Sequence, residues 1–388
     1  MEWMKGRGNG LLRLPYLYFL SFIVSVLSGA LTPLIPVIGY RMGASGYEIG
    51  AIGSAGALLY IFLTLLSGSL SEKIGRKAML LTSFISLACS TTIYAYSIIP
   101  LHLIFGRLLE GLSYSTFWPS LEALLTESHK SEARSITRLF TISWSSGMVL
   151  GALLYDTLLN IPRFTLFATL TVFSLVLCLA TVVIVEEEAP LKIVHENIFK
   201  EFLNAIKNLK MAWTLSFSYA FVQALVFNFY PVLLDALAKP ERWTSVMLST
   251  MLMARTLSFG LLAHMFVKNI AGAVLGLFLS AMGGVLIQFT DSFLLILLGG
   301  FFLGTGAGLL YSTAFYKAIS SSRLRGVYTG IFESTIGLGY FTGPLIGGVL
   351  VEINPLHPYS FISLYSLFLI VLVLSSNIHK RSPNPRRS

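Results

Sequence analysis

Stretches near 20 residues without a charge recur along the whole length of this chain, and nothing else constrains its fold so strongly. Each has the length of a helix that crosses the hydrocarbon core of a bilayer. A helix satisfies its own backbone hydrogen bonds, which lipid cannot do for it. Of the 388 residues 55% are hydrophobic and 12% charged, against roughly 25% charged in soluble domains. With a mean hydropathy of +0.77, the chain has too few charges to wet its own surface. The composition is that of an all-α membrane protein.

The periodicity predicts twelve spans, at 14–40, 46–70, 77–99, 101–126, 135–160, 163–185, 211–238, 243–267, 269–289, 292–319, 326–352 and 357–378. The first is too long for a signal-peptide core and lacks a small-residue cleavage site, so it reads as a retained helix. Short connections make successive helices antiparallel neighbours. The longer connection, residues 186–210, contains the amphipathic run Ile198-Phe199-Lys200-Glu201-Phe202-Leu203 and reads as an interfacial linker. It divides the chain into an N-terminal bundle (1–185) and a C-terminal bundle with a basic tail (211–388).

The net charge of +9 would suit a nucleic-acid binder if it formed a patch, but the basic residues sit in short loops between spans. Placing the N-terminus in the cytoplasm puts 21 of the 27 basic residues inside. Arg41, Arg163, Lys239 and Arg242 fall outside, and Arg107 and Arg255 within helices. This asymmetry predicts both termini in the cytoplasm and a multi-pass location in the cell membrane. Cys89 and Cys178 lie inside spans, and the six histidines have no ligand spacing, so no metal site is expected.

A weak internal repeat has a spacing of 197 residues. Tyr114-Ser115-Thr116 recurs as Tyr311-Ser312-Thr313, and Gly147 and Gly151 match Gly343 and Gly347 at nearly the same offset. Two parallel six-helix repeats predict a binding site between the halves near the midplane, reached from alternating sides.

Four motifs carry a resemblance. The loop between spans 2 and 3 reads Gly68-Ser69-Leu70-Ser71-Glu72-Lys73-Ile74-Gly75-Arg76-Lys77. Span 1 ends in Leu31-Thr32-Pro33-Leu34-Ile35-Pro36, and span 4 carries Arg107-Leu108-Leu109-Glu110-Gly111. Span 11 spaces Gly330, Gly339, Gly343, Pro344, Gly347 and Gly348. Together these resemble the major facilitator superfamily, nearest to its drug:proton antiporter-like branch. The loop is similar to the family pattern G-x-x-x-D-R-x-G-R-R/K, with Glu72 and Lys73 in place of Asp and Arg. The resemblance implies a gating loop whose Arg76 pairs with an acid at the end of span 4, Glu127 first and Glu122 second. The glycine–proline pattern that antiporters carry in span 5 lies here in span 11. There it serves equally well as helix packing.

Charges inside spans are costly and face the interior. Arg107 and Glu110 share a helix face with Gly111, Tyr114 and Trp118. Burial and the Arg107 charge act on the Glu110 carboxyl in opposite senses, which makes it a candidate carrier of a coupling proton. Arg255 in span 8 and Glu333 in span 11 either pair across the C-terminal half or leave Arg255 free to bind an anionic substrate group. Trp144, Tyr219, Gln223, Tyr230 and Tyr311 complete the candidate cavity.

These readings predict a secondary active transporter: proton-coupled efflux of hydrophobic or amphipathic compounds, or transport of an organic anion or other small metabolite by uniport or proton symport. The expected partners are a small-molecule substrate and the bilayer. The driving force is an ion gradient, protons by preference, without a cofactor, and the functional unit is a monomer. A polytopic enzyme or sensor finds no support, since no nucleophile–base pair, metal cluster or phosphate loop is visible.

Overall fold

Local chemistry sets the helix ends. Ser45 and Glu48 form a capping box before the second helix: the Ser45 amide donates to Glu48 Oε2 at 2.8 Å, and the Glu48 amide to Ser45 Oγ at 3.3 Å. Between the second and third helices the backbone reverses at Gly75, whose φ of +100° a side chain would strain. In a computed structural model the chain is described over residues 2–128, 133–186, 209–267, 270–320 and 325–381. Side-chain surroundings are described for 13–64, 74–125, 138–186, 209–262, 265–267, 270–318 and 331–375.

Twelve principal helices run through the described residues, with no strand among them. They are α1 (Glu2–Arg41), α2 (Gly46–Ile74), α3 (Arg76–Ala95), α4 (Pro100–Ser128), α5 (Ala133–Leu153), α6 (Arg163–Ile184), α7 (Lys210–Ala236), α8 (Glu241–Leu257), α9 (Ile270–Leu286), α10 (Phe293–Ser320), α11 (Arg325–Ile353) and α12 (His357–Arg381). A short turn, Tyr155–Leu159, prolongs α5, and α8 continues through a π-helical turn, Ser258–Leu262, into Ala263–Phe266. Among the described residues nine helices are long and apolar enough to cross a membrane. The other three are α4, α5 and α9, the last with only 17 residues. The interfacial run expected at 198–203 lies outside the described residues.

Helix packing repeats with a shift of six. Within the first half α1 packs on α5, α2 and α3 on α4, and α3 on α6. Within the second, α7 packs on α11, α8 and α10 on one another, and α9 on α10 and α12. The halves meet through α2 with α11, α5 with α8, and α1 with α7, a set that the same shift maps onto itself. The core follows this plan. One apolar cluster around Leu34, Phe227 and Met247 joins both halves near one end. Toward the other end each half keeps its own cluster, around Phe117 and around Phe332.

Position in the bundle decides which residues are buried. Helix α7 is central, and 94% of its most apolar window is buried, whereas for α6 the figure is 22%. The outer face of α6 exposes Val172, Leu179 and Val183, a surface that suits acyl chains and not water. The protein is a multi-pass membrane protein of two pseudo-symmetric six-helix bundles.

Close backbone contacts hold the helices in place. A Cβ at Gly147 or Gly151 would run into α1 carbonyls, and one at Gly339 or Gly343 into the Phe217 or Phe221 carbonyl of α7. Gly347 fits against the Phe229 ring. Pro344 and Gly348 turn the other way, onto Gly50 and Gly46 of α2. The span-11 pattern therefore serves two contacts, one within its half and one between halves. Gly330 lies outside the described side chains.

Candidate functional site

Where the core divides, a cavity of about 870 Å³ opens between the halves. It reaches the end bearing the α4–α5 and α8–α9 connections, where Leu125 and Val267 line it and Glu122, Phe315 and Tyr316 are exposed. The opposite end is closed by cross-half bonds. Arg41 of α1 donates through Nε to Asp235 Oδ2 of α7 at 3.1 Å and through Nη2 to Glu241 Oε1 of α8 at 3.0 Å. Asn160 donates to Glu241 Oε2 at 2.6 Å, and the Gly46 amide to Glu352 Oε1 of α11 at 2.5 Å. Sequence reading treated Arg41 only as a marker of topology. The signal available was the opposite charge, Asp235 and Glu241, at the same end.

The α4 stripe faces this cavity. Arg107, Glu110, Gly111, Tyr114 and Trp118 all line it. Arg107 donates through Nη1 to Glu110 Oε1 at 2.8 Å, and Tyr94 of α3 donates its hydroxyl to Glu110 Oε2 at 2.7 Å. Glu110 is 1% exposed and Arg107 7%, so both charges are withdrawn from bulk water and paired with each other within one half. Gly111 lets α4 approach closely, since a Cβ there would meet the Gly56 carbonyl of α2.

From the second half come Tyr219 and Gln223 of α7, Arg255 of α8, Tyr311 of α10 and Glu333 of α11. Arg255 and Glu333 do not pair. Arg255 Nη1 donates to Gln223 Oε1 at 3.0 Å and Tyr219 Oη at 3.2 Å, and its guanidinium stacks on Trp144 at 5.3 Å and Phe259 at 5.9 Å. Glu333 instead accepts the Tyr60 hydroxyl at 3.1 Å. Tyr311 is the aromatic hub, with ring centroids of Phe259, Tyr219 and Phe332 within 5.1–5.2 Å. Trp118 meets Phe140 edge-on at 6.2 Å.

One expectation needs correction. Tyr230 is not in the cavity: it is fully buried, donates to the Ile287 carbonyl at 3.1 Å and packs on Tyr359. It shares the Tyr219 face of α7 but lies eleven residues further on, about 16 Å along the axis and within the closed end. Glu122, the second candidate partner of Arg76, lines the cavity wall. Lys77 anchors α3 to α6 through the Val182 carbonyl at 2.8 Å, inside one half. Gly68, Glu72, Lys73 and Glu127 lie outside the described side chains.

Sequence reading missed Tyr60, Met148, Asn228, Phe259 and Tyr340 in the lining. For Tyr60 a signal existed: Gly53, Gly56, Tyr60 and Thr64 follow helical spacing on α2, small residues leading to a phenol. Among the described residues no group of His, Cys, Asp and Glu is arranged to hold a metal.

A large, mostly apolar cavity between two related bundles, sealed at one end and open at the other, defines a membrane transporter. A profile of the Major Facilitator Superfamily matches residues 17–344, and the chain belongs to that family. It is similar to Multidrug resistance protein 2 of Bacillus subtilis (22% identical, 88% of this chain and 89% of that one). It is equally similar to the quinolone resistance protein NorA of Staphylococcus aureus (22% identical, 94% and 96%). The nucleoside transporter NupG shares the fold with a TM-score of 0.76 at 16% identity, over 95% of this chain and 99% of that one. The family and these relatives are membrane transporters, not enzymes.

Proposed function

We propose that this chain is a proton-coupled exporter of hydrophobic or amphipathic small molecules, working by alternating access in the cell membrane. The observation that carries this reading is the Arg107–Glu110–Tyr94 network set in the wall of an aromatic-lined cavity. Glu110 accepts from both partners as a carboxylate. Protonation removes its charge and leaves Arg107 uncompensated, so proton binding and helix α4 are energetically coupled. Glu333, and Glu122 beside it in the lining, are the other acids able to take up a proton there. The relatives named for multidrug and quinolone resistance support export as the direction.

With the N-terminus in the cytoplasm, as the basic loops favour, the cavity opens inward and the Arg41 cluster seals the outside. A ligand would enter from the cytoplasm or inner leaflet and leave after the seal parts. Purified protein in liposomes, carrying an imposed pH gradient and a fluorescent amphipathic dye, tests the reading. The expected result is gradient-driven dye movement that Glu110→Gln abolishes. Undiminished gradient-driven transport by Glu110→Gln would end the proposal.

A further inference from the structure

Taking that cavity as the transport site, we infer that Arg255 is the docking point for the carboxylate of an aromatic amphiphilic substrate. Arg255 is 1% exposed, and no acid lies within ion-pairing distance of it among the described residues. A buried cation without a counter-charge is destabilising, and it persists where something else requires it. Arg107, the other arginine in this cavity, has its acid built in. Nε is unpartnered in both arginines, but of the two only Arg255 lacks an acid.

The guanidinium is also set for a planar anion. Nη1 is held by Gln223 and Tyr219, which fixes the plane of the group. Nε and Nη2 form the remaining edge, the one that receives a carboxylate through two parallel bonds. On that edge Nε has no partner although it is buried, and Nη2 faces only the Met148 sulfur at 3.5 Å. A thioether is a weak acceptor on a flexible stem, so a carboxylate can displace it. The π-helical turn begins three residues after Arg255, and such turns concentrate at functional sites. The neighbouring Trp144, Phe259 and Tyr311 rings supply the apolar surface for an aromatic body. Trp144 and Met148 belong to the opposite half, so an anion seated here touches both bundles at once.

The test is binding to purified protein in detergent, with no gradient present. The probes are 2-naphthoate, its uncharged analogue 2-naphthamide and the cation 2-naphthylmethylammonium, followed by tryptophan fluorescence and calorimetry. The expected order places naphthoate about tenfold or more tighter than naphthamide, the increment of a charge-assisted bond. Arg255→Gln should erase that difference, bringing the two affinities together, and Arg255→Lys should keep only part of it. Naphthoate failing to bind, naphthamide matching it, the ammonium binding tightest, or Arg255→Gln retaining the preference would each overturn the assignment. Failure of proton coupling is read separately, since Glu110→Gln transporting normally leaves the naphthoate preference standing.

Discussion

Arg107 in α4 and Arg255 in α8 face one cavity from opposite halves, and the two halves treat the same side chain differently. Arg107 meets a carboxylate at 2.8 Å that a tyrosine also holds, so the first half is internally neutral. Arg255 meets a phenol, an amide, a thioether and two rings, so the second half holds its arginine without a paired acid. The packing of the two bundles is nearly the same under the repeat, but the chemistry on it is not. The two halves share a scaffold and differ in the charged groups set on it.

This contrast can be broken at its strongest point. Glu110→Gln strands a buried guanidinium and should lower stability by about 3–5 kcal/mol in thermal or chemical unfolding of the purified protein. The double variant Arg107→Gln with Glu110→Gln should regain most of that loss, because no lone charge remains. Tyr94→Phe removes one bond to the carboxylate and should cost about 1.5–3 kcal/mol by the same measurement. Arg255→Gln sharpens the comparison, since its expected change lies within about 1 kcal/mol of zero or toward greater stability, as it removes an uncompensated charge. The smallest effect belongs to Arg41→Gln at the closed end. Arg41 is 43% exposed and its ion pairs are screened, so its contribution is about 0.5 kcal/mol. It should appear as faster, salt-sensitive hydrogen exchange in the ends of α1 and α7 rather than as a lower melting point.

How much of this was legible in the sequence follows from the range of each interaction. The twelve helices depend on hydropathy summed over some 20 neighbours, and they appear where expected. The Arg107–Glu110–Tyr114–Trp118 stripe lies on one helix, so spacing alone puts it on one face. Tyr94 could not be foreseen as a partner of Glu110, since it reaches across from α3. Spacing also gives the direction of a side chain but not its depth, which is why Tyr230 was expected in the cavity and lies beyond it. For Arg255 and Glu333 two arrangements were open, and the hydrogen bonds to Gln223 and Tyr60 separate the charges.

The crossing of α2 and α11 has one further consequence. At Gly50 the two backbones meet directly, against Pro344 and Gly348, while Gly46 and Gly53 on either side also meet the Val351 and Asn228 side chains. Interlocked leucines would have to leave their notches before such a joint could move, and would leave holes behind. A joint of bare main chain is more like two planed boards: it fits closely, yet slides or parts without rotamers to rearrange, and returns to the same register. A bulky residue at Gly50 would act as a wedge there, holding the boards apart on the side that is now shut.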